Sequence, residues 1–196
     1  MRDPYLYPNT NIHINIAGIR NKELLKAYTA KHFALSMLKL QREPIVFNSS
    51  FDFLRLHEAL FNMVFPWAGE IRTINIKNSL FILGEDLVQY ADYENIHLEL
   101  EQIDHYFFKL PWGKYDLENF INHLADLLVD LWVIHPLREG NTRTLIVFMD
   151  LFSRQYNYHI NLKKFNEHQE YFRNALIWGA YGELFNLKDI LSKIIK

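Results

Sequence analysis

The sequence predicts a mainly helical, all-α fold with a short β-hairpin flap set into it. Apolar residues recur at spacings of three, four and seven over most of the 196 residues, while one segment after Pro66 alternates around turn-forming residues. No repeat, low-complexity tract or linker interrupts the chain, so 1–196 is expected to form one domain. Its core helices and central loop fall at about 51–178, with an N-terminal extension over 1–50 and a last helix over about 185–195.

In chain order, residues 21–40 place Leu24, Leu25, Tyr28, Leu35 and Leu38 as the apolar face of an amphipathic helix, and 51–63 repeats the habit. The stretch PWAGEIRTINIKNSLFILGED opens on Pro66 and Gly69, alternates Ile71, Thr73, Ile74 and Ile76 around polar residues, and contains the turn-like Asn78-Ser79. It reads as the hairpin. Helix returns from about 85 to 109, and Pro111, Trp112 and Gly113 end it. Over 116–134, Leu117, Phe120, Ile121, Leu124, Leu128, Leu131 and Trp132 form a stripe wide enough for a central core helix. Pro136 disfavours helical backbone at His135, so that helix ends there, with the imidazole expected to point out of the core. TLIVFMDLFSRQY is apolar all round at first and reads as buried, and helices over about 165–178 and 185–195 complete the order.

A hydrophobic content of 49% with 15% aromatics supports a sizeable core. Lys plus Arg (21) against Asp plus Glu (23) leaves a net charge of -2, which excludes the strong basic field of a non-specific nucleic-acid binder. The absence of cysteine excludes disulfides and cysteine-ligated zinc and suits a reducing cytosol. Neither an apolar leader nor a membrane-length apolar run occurs. A cytoplasmic protein without membrane or nucleic-acid partners is expected, and secretion as an effector is compatible with the same features.

The chemistry concentrates in HPLREGNTRT, His135 to Thr144, between two apolar helical segments. Gly140-Asn141 at a helix entry offers free backbone N–H groups and the unusual angles of an anion nest. Arg143 in that first turn opposes the helix dipole, yet becomes favourable once a polyphosphate is bound. Glu139 supplies an oxygen ligand for the Mg²⁺ that such a phosphate carries, and His135 is left as proton acceptor. Each residue alone has an ordinary explanation as turn, surface pair or polar filler; nine residues together favour a phosphate site. HExxH, GxxxxGK(S/T), GxGxxG and GxSxG are all absent.

The run from His135 to Arg143 resembles the signature of the Fic family, HxFx(D/E)GN(G/K)RxxR, whose members transfer AMP from ATP to protein hydroxyls. DPYLYPNTN with INIAGIR, FPWAGEIRTINIK and EYFRNAL resemble the regions found at these places in the family, so the likeness covers nearly the whole chain. It implies a Fic fold in which the loop joins two core helices beneath a hairpin flap, about Ile71 to Phe81. It also implies that His135 deprotonates a Ser, Thr or Tyr hydroxyl of a target protein, and that Glu139 holds Mg²⁺ on the α- and β-phosphates of the co-substrate ATP. Gly140, Asn141 and Thr142 would form the nest and Arg143 would steady the leaving pyrophosphate. Ile76, Lys77 and Phe81 of the flap would position the target.

Three positions depart from the pattern. Leu137 replaces Phe and is expected still to anchor the loop, Thr142 replaces Gly or Lys, and Ile146 stands where the second Arg would contact the γ-phosphate. Loss of that guanidinium keeps two alternatives open: a degenerate fold that binds nucleotide or a partner without catalysis, and transfer of another nucleotide or a phosphate group. Arg138 or Arg173 is a candidate substitute. No Glu has Ser or Thr four residues before it, so the internal inhibitory motif of some family members is absent, and restraint, if any, is expected from a small antitoxin-like partner.

Overall fold

The computed structural model describes residues 3–76 and 88–196. Their order is α1 (Lys22–Arg42), α2 (Asp52–Phe61), α3 (Ile96–Tyr106), a 3-10 turn at Trp112–Lys114, α4 (Leu117–Ile134), α5 (Asn141–Gln155), α6 (Leu162–Ala180) and α7 (Phe185–Ile194). The mainly helical expectation holds. Among the described residues the only β pairings are two isolated antiparallel bridges, Leu6 with His13 and Ile160 with Ile195.

The helix starts carry their own chemistry. Asn21, Asp116 and Asn161 each accept an N–H from the first turn of α1, α4 and α6 through the side chain, which removes one orphan donor at each end. α4 is the hub, packing against α3, α5, α6 and α7. Its stripe residues from Phe120 to Trp132 are buried as expected, each contributing on the order of 1.5–3 kcal/mol, while Leu117 lies exposed at the first turn. α5 sits between α2 and α4, and its Phe148 and Phe152 meet Phe47 and Trp112 edge-on.

Several expectations are corrected. In α1 the inward residues are Leu25, Thr29 and Leu40, while Leu24, Leu35 and Leu38 stand 62%, 52% and 57% exposed. Both sets repeat at helical spacing, so periodicity could not choose the face; contact with α2 chose it. α3 begins at Ile96, not near 85, because residues 88–95 run as extended chain and turn. Pro66 to Ile76 forms turns and extended chain in no strand. The remainder of the expected hairpin, including Lys77 and Phe81, lies outside the described residues.

The N-terminal extension clasps the site's frame. Tyr5 packs edge-on to Trp67 and its hydroxyl accepts the Thr73 N–H at 3.0 Å, while Ile16 N–H donates to Val64 O at 2.9 Å. Asp3 receives the Arg138 guanidinium, with Nε at 3.0 Å from its carboxylate.

Candidate functional site

The loop from α4 to α5 is fixed by contacts its own sequence supplies. His135 closes α4 in the left-handed conformation, φ 48° and ψ 57°, with its N–H on Leu131 O. Pro136 pushes it out of the helical region as expected; the side chain, however, does not point free. It is partly buried and stacks on Tyr90 with ring centroids 3.7 Å apart. Leu137 is fully buried and anchors the loop. Asn141 turns its side chain back on that residue, accepting Leu137 N–H at 3.0 Å and donating to Leu137 O at 2.7 Å. Its amide therefore shapes the loop.

Gly140 has φ 86°, and a Cβ there would come within 3.0 Å of the Phe61 ring and 3.3 Å of His57 Nε2. Glycine is required both by conformation and by space. The N–H groups of Asn141, Thr142 and Arg143 then open α5 without intrahelical acceptors and without a side-chain cap. This is the nest geometry expected from the sequence.

Two buried polar residues that sequence reasoning missed hold the loop from behind. His57 accepts Gly69 N–H on Nδ1 at 2.9 Å and donates from Nε2 to Glu139 O at 3.0 Å. Burial, against that hydrogen bond, drags its pKa down to about 3, so it serves as a neutral strut. The signal was available: His57 shares the buried stripe of α2 with Phe53, Leu56 and Leu60, where a polar side chain must find partners. Arg72, only 1% exposed, donates Nε to His135 O at 2.8 Å and Nη1 to Ile74 O at 2.7 Å. Its Nη2 reaches Ala91 O and Ile134 O, and its main-chain N–H reaches Pro136 O. A cation at the carbonyl end of α4 is favoured by the helix dipole, which offsets part of its burial. No sequence periodicity marked it.

These struts bring every sequence-expected loop residue to one cavity of about 240 Å³, lined by His135, Glu139, Gly140, Asn141, Thr142 and Arg143 together with Ile76, Arg138 and Arg173. His135 Nδ1 lies 3.1 Å from Trp132 O, an obligate acceptor, so Nδ1 carries the proton and Nε2 keeps its lone pair. Burial lowers the His135 pKa to about 3; the Trp132 hydrogen bond opposes this, and the charges of Arg72 and Arg173 reinforce it. The imidazole is neutral at physiological pH, as a base requires. Arg143 lies over the Phe61 ring at 4.7 Å and pairs with Glu139 at 3.2 Å.

Ile146 does not reach this cavity. It lines a separate apolar groove with Met37, Leu40 and Ile45. Of the two substitutes considered, Arg138 is paired with Asp3, whereas Arg173 is exposed on α6. Among the described residues, no three His, Cys, Asp or Glu side chains gather closely enough to hold a metal unaided. No described helix is long and apolar enough to cross a membrane.

Protein adenylyltransferase VbhT of Bartonella schoenbuchensis is 29% identical over 197 residues, covering 99% of this chain, which spans only 38% of that relative's length. A probable protein adenylyltransferase Fic of Escherichia coli is 27% identical over 204 residues, covering 99% of this chain and 92% of its own. Two solved structures share the fold. The BepC protein of Bartonella tribocorum, with bound AMPPNP, superposes with a TM-score of 0.83 at 21% identity, covering 98% of this chain and 96% of its own. An N-terminal Fic domain from Bartonella quintana, with bound ADP, gives 0.83 at 23%, covering 98% and 94%. The model of the Fic/DOC family matches residues 48–153, more than half of the chain, including all of α4, the loop and nearly all of α5, and the chain belongs to that family.

Proposed function

We propose that the protein is an adenylyltransferase that moves AMP from Mg-ATP to a Ser, Thr or Tyr hydroxyl of a target protein. The observation that carries this reading is the shared cavity: a neutral His135 lines the same space as the open start of α5 and Arg143. The relatives' names and their nucleotide-bound fold neighbours support the nucleotide and the group transferred.

In this mechanism His135 Nε2 takes the hydroxyl proton as the oxygen attacks the α-phosphorus. A new P–O bond to the target forms and the bond to the β-phosphate oxygen breaks, releasing pyrophosphate. The N–H groups of Asn141, Thr142 and Arg143 receive the leaving phosphates, and the Arg143 side chain steadies their growing charge. Glu139 is the one carboxylate among the described residues lining the cavity, which fits Mg²⁺, an ion commonly held by one or two carboxylates plus substrate phosphates. When bound, Mg²⁺ supplies charge neutralisation along the phosphates. Arg143 exchanges its Glu139 contact for the pyrophosphate. Ile76, which lines the cavity, orients the target, and Lys77 and Phe81, which lie outside the described residues, are assigned the same task. A separate small inhibitor protein is the form of restraint this reading allows.

A second reading, nucleotide binding without transfer, is favoured by one observation: position 146 offers no cation to the terminal phosphate. One experiment tests both. With α-labelled ATP, Mg²⁺ and lysate proteins, the wild type labels protein, and His135→Ala loses about 10²–10⁴-fold of that rate while retaining nucleotide affinity. Equal labelling by the two removes the base assignment, and nucleotide binding with no labelling by wild type favours the second reading.

A further inference from the structure

Among the described residues three arginines line the cavity, and their commitments differ. Arg138 is held by Asp3 and Arg143 by Glu139, whereas Arg173 has no hydrogen bond or ion pair among the described residues. Of the three, Arg173 is the one whose charge bears on the His135 imidazole; the other cation that does so, Arg72, is buried and spent on backbone carbonyls. Arg173 enters the cavity from α6, which packs against α4, the helix that His135 closes, whereas Arg143 lies over Phe61 at the start of α5.

We propose that Arg173 binds the α-phosphate of the nucleotide, the group being transferred, so that α6 supplies the second guanidinium of the site in place of position 146 on α5. This rests on the adenylyl-transfer reading above. Attack beside His135 places the reacting phosphorus on Arg173's side, where a planar guanidinium can pair with the two non-bridging oxygens. As the target oxygen bonds to phosphorus and the β-phosphate oxygen leaves, negative charge stays on those oxygens and the fork strengthens. The proton goes to His135 Nε2, and Arg173 keeps all of its own. Its charge beside the imidazole also helps keep the base unprotonated before attack.

Calorimetry with adenosine, AMP and Mg-ATP tests the assignment on the full chain, comparing wild type, Arg173→Ala and Arg173→Lys. Because Arg173 is exposed, both variants should melt as wild type does. Arg173→Ala should bind AMP and ATP about tenfold more weakly, bind adenosine equally, and label protein about 10²-fold more slowly, with Arg173→Lys recovering part of each loss. Equal AMP affinity in wild type and Arg173→Ala would overturn the proposal, as would a loss confined to ATP, which would put the contact on the terminal phosphates. A wild type that binds neither AMP nor ATP would instead bring down the adenylyl-transfer reading itself.

Discussion

His57 is buried and His135 partly buried at one loop, and the desolvation lowers both to about 3. An unfolded histidine titrates near 6.5, so between about pH 6.5 and 3 the unfolded chain takes up protons that the folded one refuses. The stability linked to these residues is intact above about pH 6.5 and is lost as the pH falls toward 3. Catalysis should behave differently from stability over the upper part of that range. The transfer rate, followed from about pH 8 to 5.5 while the protein stays folded, should show no downward break near 6.5, because the base is already neutral there. A break at 6.5 would mean that His135 titrates like an exposed imidazole and that its stacking on Tyr90 does not persist in solution. The base and its neighbours in the motif were legible in the sequence because they are contiguous. His57 was legible only as a polar intruder on an apolar stripe, and Arg72 not at all, since its guanidinium donates to four carbonyls from three separate places in the chain.

At the scale of elements, α4 to α7 followed from the sequence because their apolar stripes mark where they lie, and side-chain caps at Asp116 and Asn161 fix the starts of α4 and α6. α3 began later than expected, since apolar residues before Ile96 serve extended chain that packs on α4; Ala91 N–H, for instance, donates to Val133 O at 3.1 Å. The junction between α4 and α5 depends on Gly140. Gly140→Ala would force a side chain into the left-handed region and against Phe61 and His57, at a cost of about 1–3 kcal/mol. Urea unfolding should register that loss, and nucleotide affinity should fall with it because the first turn of α5 must shift. A variant as stable as wild type, binding nucleotide equally well, would show that the junction tolerates another backbone path.

Over the whole molecule, what the sequence could not supply is which helical faces meet. Position 146 turns on that question, because the signature spacing alone would aim it at phosphates. The packing of α5 between α2 and α4 turns it instead toward the end of α1 and the chain around Ile45, a groove where it sits beside Met37 and Leu40. Ile146→Arg would therefore place a guanidinium among apolar neighbours. The nearest carboxylate lining that groove, Asp150, is already paired with Arg154 at 2.9 Å. An incompletely paired charge in a partly buried site should cost on the order of 1–3 kcal/mol, which lowers the melting temperature by roughly 2–4 °C per kcal/mol in a chain of this size. Ligand linkage separates this outcome from a gain of function. If position 146 faces away from the cavity, Mg-ATP should raise the melting temperature of Ile146→Arg by no more than it raises that of wild type. A larger nucleotide-induced rise in the variant would show that the α5 face reaches the phosphates after all, and would return to position 146 the γ-phosphate contact that the signature spacing implies.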